Sequence, residues 1–177
     1  MLTAVTIVAL VLAIAIAAIL IVAATRPDHF RIARTATINA PAERIFPLIN
    51  DLQSFKLWSP FEKDPAMRRD ISTPSAGKGA TYAWNGDKKV GSGHMTITDS
   101  SAPSQVKIDL EMLTPFAASN KVEFNLVPRG GGTELTWAMA GRSPFMMKVM
   151  GVFFSSDKMV GGEFEKGLAN LKRMTEV

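Results

Sequence analysis

The sequence predicts an α+β domain behind a separate apolar N-terminal helix, on three observations. Residues 2–24 carry no charge. Period-two alternation of apolar and polar residues recurs between residues 80 and 140. A single long amphipathic stretch then closes the chain. A sheet with one apolar face must cover it, and the closing helix is the only predicted element long enough to do so.

The opening run, Leu2 to Ala24, has only Thr3 and Thr6 as polar residues. About 20 apolar residues in a helix cross the ~30 Å hydrocarbon core of a bilayer, so this run can span it. A cleaved signal peptide is the alternative. That would need a basic leader and an apolar stretch of roughly 7 to 15 residues, neither of which is present. The organisation expected is an anchor at 1–25, a linker at 26–29 and a domain at 30–177. Arg26, Arg31, Arg34 and Arg44 follow the run while no basic side chain precedes it, which predicts a domain on the cytoplasmic side.

All 20 basic and 16 acidic residues lie after Thr25. A net charge of +4 spread over mixed signs gives no footprint for nucleic acid, and none is expected as a partner. There are no cysteines, which excludes disulfides and thiolate chemistry.

Phe30 to Ile38 reads as a strand. Pro41 opens a helix carrying Ile45, Leu48 and Ile49 at helical spacing, because proline fits a first turn. Leu52 to Phe61 reads as a short helical or irregular piece stopped by Pro60. Glu62, Asp64, Arg68, Arg69 and Asp70 read as a solvated charged loop. Strands follow at Ala80 to Trp84, Val90 to Thr98, Val106 to Met112, Lys121 to Leu126 and Glu134 to Ala140. In the clearest of them Val106, Ile108, Leu110 and Met112 face one way and Lys107, Asp109 and Glu111 the other, as in an antiparallel sheet with one wet side. Gly141 to Pro144 ends the pattern. Val160, Phe164, Leu168 and Leu171 then form the stripe of the closing helix. The segment PFMMKVMGVFF, 144–154, can be a lid, an interfacial segment or the buried start of that helix; its pattern alone does not separate these.

Five pieces in order carry a resemblance: ATINAPAERIFPLIND, WSPF, YAWNGDKKVGSGHMTIT, GGTELTW and GGEFEKGLANLKRM. With them residues 30 to 177 resemble the START-like or SRPBCC superfamily, in its polyketide cyclase/dehydrase and lipid transport branch. The resemblance implies a helix-grip fold, in which a curved sheet of about six to seven strands wraps the C-terminal helix around an apolar cavity. It also places the charged loop after WSPF near the cavity mouth, where an ion pair could gate access.

The expected cavity lining is Trp58, Tyr82, Trp84, Met95, Leu110, Met112, Phe116, Phe124, Trp137, Met139 and Phe164. Soft methionines suit a cavity with variable contents. His29 and His94 are far apart in sequence, and alternation turns His94 away from Met95 and Ile97, so no metal site is expected. No cofactor is implied. The favoured reading is a membrane-tethered binding module for a lipid, quinone or polyketide-like molecule rather than an enzyme. Two rivals remain: a cyclase or dehydratase using His94, Tyr82 or a mouth-region Asp or Arg, and a chaperone-activator-like interaction domain.

Overall fold

In the computed structural model, which describes residues 2–176, seven strands build one antiparallel sheet. They are β1 (His29–Ile38), β2 (Arg68–Ile71), β3 (Thr81–Asn85), β4 (Ser92–Ser101), β5 (Gln105–Thr114), β6 (Ala118–Arg129) and β7 (Gly132–Arg142). Their order across the sheet is β1-β7-β6-β5-β4-β3-β2. Strands β2 to β7 pair with their neighbours in sequence, and β1 alone closes a long loop to reach β7. Register shifts at Ser92/Gly93 and Ile97/Asp99 interrupt the β4–β5 ladder. Such bulges bend and twist a strand, which helps a sheet curl around a helix.

The expected α+β class is the observed one. Helix α5 (Ser156–Thr175) buries Phe164, Leu168 and Leu171 against the sheet. Ser155 caps its start by accepting from the Lys158 amide, while Lys172 and Arg173 sit in its last turn, where cations suit the helix dipole. From the sheet, Arg34 of β1 grips the helix. Its Nε donates to Glu165 at 2.7 Å and its Nη2 to Asp157 at 2.9 Å. This arginine therefore serves the fold.

Two short helices, α2 (Ala42–Asn50) and α3 (Phe55–Trp58), close one side of the core. Trp58 fixes this corner: its indole N–H donates to the Leu48 carbonyl at 2.8 Å, and its own carbonyl accepts from Asn170 of α5 at 2.8 Å.

Two sequence expectations need correction, and one alternative left open is decided. Arg68, Arg69 and Asp70 are not loop but edge strand β2, paired with β3. Its inward positions are Arg69 and Ile71, and the charge at the first hides the alternation, while charge on an edge strand discourages pairing with other chains. Strand β7 also runs through Gly141 to Arg142, because β1 pairs with it as far as His29. Of the alternatives for 144–154, the segment is not the start of one continuous closing helix. Helix α4 (Phe145–Phe153) precedes α5 as a separate element, since Phe154 is extended and Ser155 starts a new cap.

The N-terminal helix α1 (Leu2–Ala24) is long and apolar enough, by length and composition, to cross a membrane. It leaves the sheet and touches α4.

Candidate functional site

Between the sheet and α5 lies a cavity of about 340 Å³. Strand alternation supplies most of its wall. Tyr82 and Trp84 come from β3, Met95 from β4, Ile108, Leu110 and Met112 from β5, Asn120 and Val122 from β6, and Trp137 and Met139 from β7. Val160 and Phe164 of α5 form the opposite wall. Phe55, Phe61, Glu62, Lys63 and Met67 close one side, and Lys89 and Val90 of the β3–β4 loop another. Trp84 can lie over β4 because its neighbour there is Gly93; a Cβ on that residue would sit 2.6 Å from the indole.

The floor is aromatic. Trp137 stacks on Phe164 with centroids 4.1 Å apart, and Phe124 and Trp58 lie beneath it at 5.0 and 5.5 Å. Aromatic contacts of this kind add to the area they bury.

A hydrogen-bonded polar corner lies in the mainly apolar lining. Glu62 is nearly buried, with 11% of its side chain exposed. It accepts two hydrogen bonds from Arg69, at 2.6 and 2.8 Å, and one from the Tyr82 hydroxyl at 2.5 Å. Arg69 also donates to the Met67 carbonyl at 2.6 Å. Burial, and then the Glu62 carboxylate beside it, hold the Tyr82 phenol above its ordinary range. The same carboxylate raises Arg69. Tyr82 is thus a protonated donor at neutral pH and not a base.

Most predicted lining residues meet at this cavity: Tyr82, Trp84, Met95, Leu110, Met112, Trp137, Met139 and Phe164. Trp58 and Phe124 are instead core, fully enclosed under Trp137. Phe116 lies outside it altogether, 61% exposed in the loop after β5, because alternation loses its reference once the strand ends at Thr114. The reading of Glu62 and Arg69 as solvated is also corrected, since each is largely buried in its pair. Only their nearness to WSPF signalled this in the sequence. His94 is exposed on the far face, opposite Glu111 and Ala83 in the neighbouring strands.

Among the described residues, two buried polar atoms, Asn120 Oδ1 and Trp137 Nε1, have no hydrogen-bond partner. Both belong to residues of the cavity wall. Among the described residues, no group of three or more His, Asp or Glu could hold a metal ion.

The fold recurs widely. Protein CV1439 from Chromobacterium violaceum is similar over 86% of this chain and 99% of its own, with a TM-score of 0.60 and 13% identity. The Aha1 dimer from Colwellia psychrerythraea matches over 84% and 97%, at 0.57 and 16%. The di-domain ARO/CYC BexL of the BE-7585A biosynthetic pathway matches over 88% of this chain but 53% of its own, at 0.62 and 13%. At these identities the likeness is one of fold. No curated protein matches the chain. The family model described as polyketide cyclase / dehydrase and lipid transport, however, matches residues 29–176, from the first residue of β1 past the end of α5. All seven strands, the cavity and the gripping helix fall inside that match, and the chain belongs to this family.

Proposed function

We propose that the protein binds a hydrophobic small molecule with one polar end, held at a membrane by residues 2–24. The lipid, quinone and polyketide-like classes all have this form. The cavity carries the reading: its volume lies in the range of small-molecule sites, and its wall is mainly apolar, with Glu62 and Tyr82 forming a hydrogen-bonded polar corner. Apolar burial supplies about 25 cal/mol per Å² before ordering costs. The polar corner would orient the ligand. Residues 1–25 act as anchor, 26–29 as linker and 30–177 as the binding domain, placed on the cytoplasmic side by the arginines after the helix.

A cyclase-type activity on a bound ketide is the second reading. It is favoured by one observation, the Tyr82–Glu62 pair at the cavity wall, because a protonated phenol that turned from Glu62 could donate its one hydrogen to a ketide carbonyl.

Native mass spectrometry of the full chain, released from detergent in the gas phase, tests binding. Lipid-sized mass increments are expected, and Met112→Trp, which fills the cavity, should remove them. Increments that are absent, or unchanged in the variant, would refute the cavity as a binding site. Turnover of a linear poly-β-ketone that is lost in Tyr82→Phe would instead support the second reading.

A further inference from the structure

Strand register sorts the loops to two ends of the sheet. The pairs His29↔Arg142, Met112↔Ala118 and Asn85↔Ser92 place the start of β1, the end of β7, the β5–β6 loop and the β3–β4 loop at the same end. Helix α1 leads into that end and α4 leaves from it.

Helix α4 is pinned to the last turn of α1 and the residues just beyond it. The Lys148 ammonium, on a side chain only 8% exposed, closes on the Asp28 carboxylate. The Ser143 amide donates to the Asp28 carbonyl at 2.7 Å. Gly151 faces the Arg26 guanidinium, whose Nη1 lies 3.0 Å from where a Cβ would sit, and Ala23 is completely buried. Where α1 spans a bilayer, residues 23–28 mark the step from hydrocarbon to headgroups, so α4 lies at that level.

The exposed side of α4 is apolar. Phe145, Met146, Met150, Phe153 and Phe154 are between 42% and 66% exposed, while its one charge points inward. This inverts the pattern of a water-facing helix. At the same end, Phe116 is 61% exposed, and Lys88 and Lys89 project from the β3–β4 loop. Exposed aromatics beside cations suit the boundary of a bilayer with anionic lipid.

We propose that this end of the domain docks on the bilayer surface, with α4 lying in the plane of the headgroups and Phe116 inserted beside it. The occupant of the apolar face is lipid because the face continues from α1 and the same end of the domain carries the exposed Lys88 and Lys89. The part of the cavity wall formed by Lys89, Val90 and Met112 then faces the membrane, which lets an apolar ligand pass between the two without crossing water. The inference rests on the reading that α1 spans.

The chain lacks cysteine, so single introduced cysteines report one site each. Full-length Phe153→Cys, Phe116→Cys, Arg129→Cys and Ile14→Cys, each spin-labelled, would be placed in nanodiscs of phosphatidylcholine and phosphatidylglycerol. All four positions are exposed, so labels fit without repacking. Labels at 153 and 116 should collide with oxygen more than with a water-soluble nickel chelate, and the label at 129, at the opposite sheet end, should do the reverse. Aqueous behaviour at 153 and 116 would overturn docking, and so would mutual spin broadening at 153, which would mean that a second copy covers the face. The label at 14 reports the span separately. Lipid at 14 with water at 153 keeps the span and refutes docking; water at 14 removes the span and overturns this docking arrangement with it, whatever the label at 153 reports.

Discussion

Trp137 of the sheet lies flat on Phe164 of the closing helix, their planes 9° from parallel and their centroids 4.1 Å apart. This contact joins the two walls of the cavity. It is possible because the next turn of the helix presents Gly167, where a Cβ would come within 2.6 Å of the same indole.

Phe164→Ala should therefore cost about 3–5 kcal/mol of stability, the usual cost of deleting a buried aromatic ring. Gly167→Val should cost about 1–3 kcal/mol through overpacking against Trp137 and Pro60. Urea unfolding of the detergent-solubilised chain measures both. Wild-type midpoints in either variant would mean that the stack does not hold the helix in place.

The Tyr82–Glu62 bond predicts coupling. Tyr82→Phe and Glu62→Gln should each destabilise by about 1–3 kcal/mol, as expected for a hydrogen bond to a charged group. The double variant should cost clearly less than the sum. Strict additivity would mean that the two side chains act independently.

Phe116 and Phe124 were alike as sequence but should differ sharply as mutants. Phe124→Ala removes a fully buried ring and should cost about 3–5 kcal/mol. Phe116→Ser alters an exposed loop residue and should stay within about 0.5 kcal/mol of wild type in detergent. Equal losses would place Phe116 in the core.

The Lys148–Asp28 pair predicts a pH response in α4. The hydrogen bond from Lys148, more than its charge or those of His29 and Arg142, holds the Asp28 carboxyl below its ordinary value of 3.8. A carboxyl lowered by folding stabilises the folded contact above that ordinary value and loses the contribution as pH falls through its folded value. A spin label at Met150 should therefore be immobilised at neutral pH and gain mobility below about pH 4. Asp28→Asn should be mobile throughout. A label indifferent to pH would show that other contacts hold α4.

The strands with one dry face were legible because alternation is a local consequence of the pleat. Leu110, Met112, Trp137 and Met139 were placed on the inner face by it, and all four reach the cavity. Strand β2 was not legible, since the charge at Arg69 hides its alternation and its structure comes from hydrogen bonds to β3. Neither was the polar corner. Glu62 and Arg69 are seven residues apart, and Tyr82 lies twenty residues beyond Glu62. Only the turn after Pro60 and the β2–β3 pairing bring the three together.

By itself the sequence determined the apolar N-terminal helix, the antiparallel α+β fold and the inward set of aromatic and methionine side chains. Each of these depends on residues close in the chain, through helix length, strand period or apolar stripe. The tertiary structure decided which inward residues bound empty space and which, like Trp58 and Phe124, are core, because that depends on how far the sheet stands from α5. It also decided where 144–154 goes. An apolar stretch of that length is compatible with lid, interface or core, and it is contacts distant in sequence, the Lys148–Asp28 pair and the Ser143–Asp28 hydrogen bond among them, that set α4 beside α1. The N-terminal helix is thereby joined to a second apolar surface that local pattern could not assign.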